Sequence, residues 1–184
     1  PGSAHPWIFQ KMVERPDPKP RPGQVVQVVD RAGQWIGRGF YNGHSRIALR
    51  MLSTDPDEAI DQGFFRRRIL EAVALRRDVL RLDEVSNAWR VVHAEGDGIS
   101  GLVVDRYDDD FVLQITTAPM ALQRAAIEAW FRDRGHTRLH TVLPPGSAKL
   151  EGFEPGVFRE HDADTLTFRE HGLRFETPAP PSQK

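Results

Sequence analysis

The residues whose spacing most suggests chemistry are Gly96-Asp-Gly98-Ile-Ser-Gly101, which match the G-x-G-x-x-G pattern of a dinucleotide-binding loop. In such a loop the third glycine opens a helix whose amides face a pyrophosphate. Here Leu102-Val-Val-Asp-Arg-Tyr107 follows and reads as a strand, so the glycines are expected to connect two strands. His136 and His140 have the i, i+4 spacing of helical metal ligands. The segment that holds them, leading into Thr137–Leu143, reads as strand, where four residues span about 13 Å and cannot share an ion. His93 with Glu95, Asp97 and Asp105 could be drawn as an acid–base or metal cluster, and a hydrolase built on His93 and Asp105 is the weakest of three functional readings. None of the seven His sits in a triad-like context. With no Cys in the chain, disulfides, thiolate metal sites and cysteine nucleophiles are excluded. The expectation is therefore no catalytic, cofactor-binding or metal-ligating residue in this sequence.

A different chemistry is suggested by charge. The net charge of −1 conceals an asymmetry: residues 1–52 hold 8 Lys+Arg against 3 Asp+Glu, and residues 81–184 hold 12 against 17. The basic front carries Trp7, Phe9, Trp35, Phe40 and Tyr41 among its arginines. Cations for phosphates and flat rings for unpaired bases are what a nucleic-acid surface needs. The alternative is a small β-barrel with an aromatic core and an ordinarily solvated exterior, in which Trp7 and Phe40 are the first candidates for the core.

The elements that must position these residues follow from pattern. Arg15 to Pro22 alternates Pro with charged residues and reads as a stiff surface loop. Residues 24–30 and 34–41 form a hairpin about Arg31-Ala-Gly33, and Gly37 and Gly39 suggest a bent or bulged second strand. After Asn42-Gly43, the run Ser45–Leu52 alternates Arg46, Ala48, Arg50 against Ile47, Leu49, Met51, which would bury one face and offer Arg46 and Arg50 on the other. Asp55–Glu58 or Asp61 would cap a helix through Phe64–Leu80 with Phe65, Ile69, Ala72, Leu75 and Val79 on its apolar face. Its arginines, Arg66–Arg68, Arg76 and Arg77, are expected to be solvated. Residues 88–93, 101–107 and 111–116 form a meander whose turn is Asp108–Asp110, followed by a helix over 119–134, a strand over 137–143, an irregular stretch over 144–156 and a final hairpin from 165 to 176. The fold class is α+β. Pro1–Ser3 lack an initiator Met and an apolar signal core and read as a trimmed start. Apolar runs are too short for a membrane span, and the absence of Cys suits a cytoplasmic protein.

Several blocks, in order and across nearly the whole chain, resemble one family. They are His5-Pro-Trp-Ile-Phe9; Gly23-Gln-Val-Val26; Ile36-Gly-Arg-Gly-Phe-Tyr-Asn42 with Ser45; Ile60–Arg68; Trp89-Arg-Val-Val-His-Ala-Glu-Gly-Asp-Gly98; and Gly101–Tyr107. The family is the RlmI-like large-subunit ribosomal RNA methyltransferases. Ser100 stands where the family commonly has Pro, and Leu143–Gly152 departs from its usual stretch.

The resemblance implies a PUA-like RNA-binding β-barrel over residues 1–55, a linking helix over 56–82, and a central α/β domain of antiparallel strands with one main helix over 83–178. Residues 179–184 would then be a linker to a methyltransferase domain that binds S-adenosylmethionine. It further implies cytosine 5-methylation of 23S ribosomal RNA by the whole protein, a reaction whose attacking cysteine this chain does not possess. On that basis the chain is expected to recognise and position ribosomal RNA without catalysing. Lys11, Arg38, Arg46 and Arg50 would contact phosphates, and Tyr41, Asn42, His44 and Ser45 would contact bases or sugars. A homodimer is left open as a partner. The competing reading is an interaction scaffold that docks a methyltransferase domain or a second subunit without touching RNA.

Overall fold

The computed structural model describes residues 5–14 and 17–180. The trimmed start expected at Pro1–Ser3 and the last four residues of the expected linker lie outside them, as does part of the proline-rich loop.

Four strands, β1 (Trp7–Phe9), β2 (Val25–Val29), β3 (Trp35–Tyr41) and β4 (Ile47–Ser53), form an antiparallel sheet in the order β1-β4-β3-β2. Bulges at Ile8/Phe9, Val28/Val29 and Arg38/Gly39 bend it as the paired glycines of β3 suggest. Among the described residues β1 and β2 remain at opposite edges, so the hydrogen-bonded ladder does not close on itself. Val28, Tyr41, Ala48 and Leu49 fill a small core on this sheet.

The helix α1 (Gln62–Ala74) starts where Asp61 accepts a hydrogen bond from the Phe64 amide at 2.9 Å. Its Phe64, Ile69 and Ala72 lie in one core with Leu102, Leu113 and Phe131, and Phe65 stacks on Phe40 of β3 at 5.9 Å. Leu75 and Val79, expected on the same apolar face, are 42% and 70% exposed. Val79 lies in a turn of π-helix over Leu75–Val79, whose five-residue hydrogen bonds set it out of phase with the preceding α-turns.

The second sheet has the order β5-β6-β7-β8-β9: β5 (Ala88–His93), β6 (Leu102–Tyr107), β7 (Asp110–Ile115), β8 (Arg138–Leu143) and β9 (Gly156–Arg159). It is antiparallel except at β7 and β8, which run parallel because α2 (Ala118–Arg132) carries the chain back between them. This corrects the expected all-antiparallel central sheet. The loop expected over 144–156 contains a short helix, α3 (Pro145–Glu151), that pattern alone does not reveal. The hairpin β10 (Thr165–Glu170) and β11 (Leu173–Pro178) covers part of the opposite face through Leu166, which packs with Val112. Asp110 is not a turn residue. It opens β7 and is buried, accepting from His140 Nε2 at 2.9 Å and from Arg138 at 2.6 Å.

Candidate nucleic-acid interface

The two sheets meet along a polar seam, and several expected RNA contacts lie in it. Glu151, the last residue of α3, is 5% exposed, and burying its charge is costly without compensation. Compensation comes from the first sheet. Arg50 Nη2 donates to Glu151 Oε1 at 2.6 Å, Ser45 Oγ donates to the same oxygen, and Asn42 Nδ2 donates to Oε2 at 3.1 Å and to the Glu151 carbonyl at 2.8 Å. Asn42, Ser45 and Arg50 are thus buried against the second sheet and do not face solvent. The alternation in β4 exposes its polar face as a face, but α3 covers the Arg50 end of it.

Trp7 makes a second bolt across the seam. Its indole N–H donates to Glu95 Oε1 at 2.9 Å, and Ser100 Oγ donates to the same oxygen at 2.6 Å. Burial opposes the charge on Glu95. The hydrogen bonds from Ser100, its own backbone amide and Trp7, with the nearby Arg50 guanidinium, outweigh that penalty and hold the carboxyl below its ordinary value. The Arg50 guanidinium also lies 5.7 Å from the Trp7 ring.

The remaining expected contacts divide. Arg38 is pinned: its guanidinium donates to the carbonyls of Glu58 at 2.6 Å and Pro56 at 2.8 Å and lies over Trp35. The Tyr41 ring is buried in the core of the first sheet, with its hydroxyl near Gly43. His44 is exposed, and its ring packs against Gly152, where any Cβ would stand 2.8 Å from the imidazole. Lys11 and Arg46 are exposed, and no acid among the described residues pairs with either.

Lys11 lines an open groove, and Arg46 lies next to it in the chain's 43–48 segment. The turn after β1 is held to the 43–45 loop by Gln10, whose amide donates to the carbonyls of Gly43 at 3.1 Å and Ser45 at 2.6 Å. Gln10 also donates from its backbone to the Arg46 carbonyl, which places Arg46 beside the groove formed by Gln10, Lys11, Lys19, Tyr41 and Gly43. Lys19 was not among the expected contacts. It belongs to the alternating basic and proline residues of the loop, a signal read only as stiffness. Glu14 also lines the groove but lies 3.7 Å from Arg31. The groove thus offers Lys11 and Lys19 around one phenol edge, and the exposed Arg46 adjoins it through its backbone.

The other candidate sites resolve into structure. The Gly96–Gly101 loop leads directly into β6. The space over Gly98 is occupied by Arg68, and a Cβ on Gly101, where φ is +92°, would stand 2.1 Å from Thr117 Oγ1. That loop has neither a following helix nor room for a pyrophosphate, so it does not fit a dinucleotide. Asp97 instead takes a bidentate pair from Arg76 at 2.7 and 2.9 Å. Asp105 is bonded to Arg90, whose Nη1 lies 3.5 Å from His93 Nδ1, so a cation engages the carboxylate in place of the imidazole. His136 packs on Phe111 and Phe131, where burial, with Arg106 and Arg134 nearby, lowers its pKa.

Residues 3–54 match the family of PUA-like domains. The chain is 35% identical over 175 residues to ribosomal RNA large subunit methyltransferase I of Alteromonas mediterranea, a match that covers 93% of this chain and 44% of that protein. It is 40% identical to the protein of the same name from Klebsiella pneumoniae, with the same coverage. Among solved structures, SMU.776, a methyltransferase complexed with SAH, superposes with a TM-score of 0.72 at 14% identity, over 94% of this chain and 43% of that one. A SAM-dependent methyltransferase from Streptococcus mutans gives a TM-score of 0.70 at 15% identity, over 92% and 43%. At those identities the likeness is one of fold. The chain spans less than half the length of the curated relatives it matches; over nearly all of its own length it is similar to the first part of ribosomal RNA large subunit methyltransferases I, and its residues 3–54 match PUA-like domains.

Proposed function

We propose that this chain recognises and positions ribosomal RNA for a methyl transfer carried out elsewhere in a longer protein, with the Lys11, Lys19 and Arg46 groove as its phosphate-binding surface. The observation that carries this reading is the division of the cations: Arg50 and Arg38 are consumed by Glu151 and by carbonyls, while Lys11 and Lys19 in the groove and Arg46 beside it are exposed. The relatives' name supplies the substrate class, and cytosine 5-methylation with S-adenosylmethionine as methyl donor is the reaction proposed for the whole protein. A thiolate that adds to the base must come from outside these residues, which include no Cys. The cytoplasm is the proposed compartment.

The test is the salt dependence of binding to a labelled ribosomal RNA fragment, followed by fluorescence anisotropy. Each lost phosphate contact lowers the slope of log affinity against log salt by about 0.7 for single strands and 0.9 for duplex. Lys11→Ala and Arg46→Ala are each expected to lower it by one such step. Unchanged affinity and slope in both would overturn the assignment.

A second reading, a scaffold that docks a methyltransferase domain or another subunit, is favoured by an open concavity between Val112, Val142, Pro144 and Val157 on the face that β10–β11 leave uncovered. Gel filtration at several concentrations, alone and with RNA, separates the two readings.

A further inference from the structure

Tyr41 ends β3 with its ring in the core of the first sheet, 7% exposed, and it also lines the cationic groove with Lys11, Lys19 and Gly43. Its hydroxyl meets no hydrogen-bond partner among the described residues, and it is not shielded from solvent. A polar group at the edge of a core is costly to leave unpaired, and water or a ligand must satisfy it.

Gly43 shows what that hydroxyl faces. A Cβ built on Gly43 would stand 2.7 Å from Tyr41 Oη, 2.8 Å from Lys19 Cε and 3.2 Å from Lys19 Nζ. The missing methyl group therefore leaves a gap with a phenol on one side and an ammonium on the other. Its backbone is held in place: the Gln10 amide donates to the Gly43 carbonyl at 3.1 Å, and the His44 N–H donates to Asn42 Oδ1 at 3.0 Å. Lys19 is exposed and has no carboxylate partner among the described residues, while Glu14, the carboxylate of this groove, lies 3.7 Å from Arg31. An ammonium is a donor only and the phenol beside it has a free O–H, so the gap suits an oxyanion.

We propose that this gap seats one phosphodiester of the bound strand, with one non-bridging oxygen on Tyr41 Oη and the other on Lys19 Nζ; the seat rests on the RNA-binding reading of the same groove. It makes Tyr41 a phosphate contact in place of the base or sugar contact expected of it, and it gives Gly43 a role that any side chain would abolish. The two groups contribute differently. Lys19 brings charge, whereas Tyr41 brings a neutral donor fixed by a buried ring, which costs little conformational entropy to hold on the ligand.

Anisotropy with the ribosomal RNA fragment separates the two contributions. Tyr41→Phe keeps the ring in the core and removes only the oxygen; it is expected to weaken binding about tenfold at an unchanged salt slope, because a neutral donor releases no counterion. Gly43→Ala fills the gap and leaves both lysines, and is expected to match Tyr41→Phe, with the melting temperature of both variants unchanged. Lys19→Ala is expected to lower the slope as well. The chain has two tyrosines, so NMR of tyrosine-labelled protein reads the seat directly. The Tyr41 ring signals are expected to shift with dimethyl phosphate and to stay still in Gly43→Ala, and those of Tyr107 to stay still throughout. A shift with inorganic phosphate but not with dimethyl phosphate would mark a free-anion site and overturn the diester assignment. No shift of Tyr41 with either would overturn the seat. So would RNA affinity indifferent to Tyr41→Phe and Gly43→Ala while Lys11→Ala and Arg46→Ala weaken it. RNA affinity indifferent to Lys11→Ala and Arg46→Ala, with Tyr41→Phe weakened and Tyr41 answering dimethyl phosphate, would count against the wider groove and for the seat.

Discussion

At the scale of single residues, the same side-chain type does opposite work at Arg46 and Arg50, four positions apart on one strand. Arg50 holds a buried carboxylate, so Arg50→Ala leaves Glu151 charged and unpaired. A loss of about 3–5 kcal/mol is expected, read by chemical denaturation. Arg46 faces water, and Arg46→Ala should change stability by no more than about 0.5 kcal/mol. Glu95 adds a pH dependence with a definite sign. Its carboxyl is held below the ordinary 4.5 in the folded chain, so the unfolded chain binds more protons in that range. The resulting stability is present above pH 4.5 and is lost as pH falls through the folded value. Glu95→Gln is expected to flatten the melting temperature against pH on that acid side, and an undiminished acid slope would contradict the assignment. Sequence could not separate Arg46 from Arg50. Period-two alternation puts both on one face, and what covers half of that face is α3, about a hundred residues further along the chain.

Local elements were more legible than the contacts between them. The hairpin over β2 and β3, the strand β5 and the cap at Asp61 follow from turn chemistry, β-branched residues and a carboxylate placed before an amphipathic run. Asp61→Ala is expected to cost about 1 kcal/mol, visible as a lower melting temperature. The helix's last turn was misread because helical spacing carries no trace of the π-turn that rotates Val79 outward. Ile69→Ala, in the phase that stays buried, should cost about 2–5 kcal/mol. Val79→Ser, in the rotated phase, should be nearly silent. The parallel pair β7–β8 was hidden for a related reason: a strand shows where it runs, and its neighbours are set by the crossover through α2.

At the scale of the whole molecule, the sequence blocks that resemble the family converge on the seam. His5–Phe9 supplies Trp7, Ile36–Asn42 supplies Asn42, and Trp89–Gly98 supplies Glu95. The resemblance therefore reports in part how two sheets are bolted together, since Asn42, Ser45 and Arg50 hold Glu151 across the seam. Phe40 and Leu52 of the first sheet share a core with the second, so the two are expected to unfold in one transition. The groove is the surface this joined body holds in a fixed place. The most direct measurement pairs Arg46→Ala with Arg50→Ala in two assays, thermal unfolding and titration of a ribosomal RNA fragment below the melting temperature of both. Arg46→Ala should weaken RNA binding and its salt dependence at an unchanged melting temperature, and Arg50→Ala should lower the melting temperature sharply. Intact RNA binding in Arg46→Ala, or a stable Arg50→Ala that has lost RNA, would contradict the account.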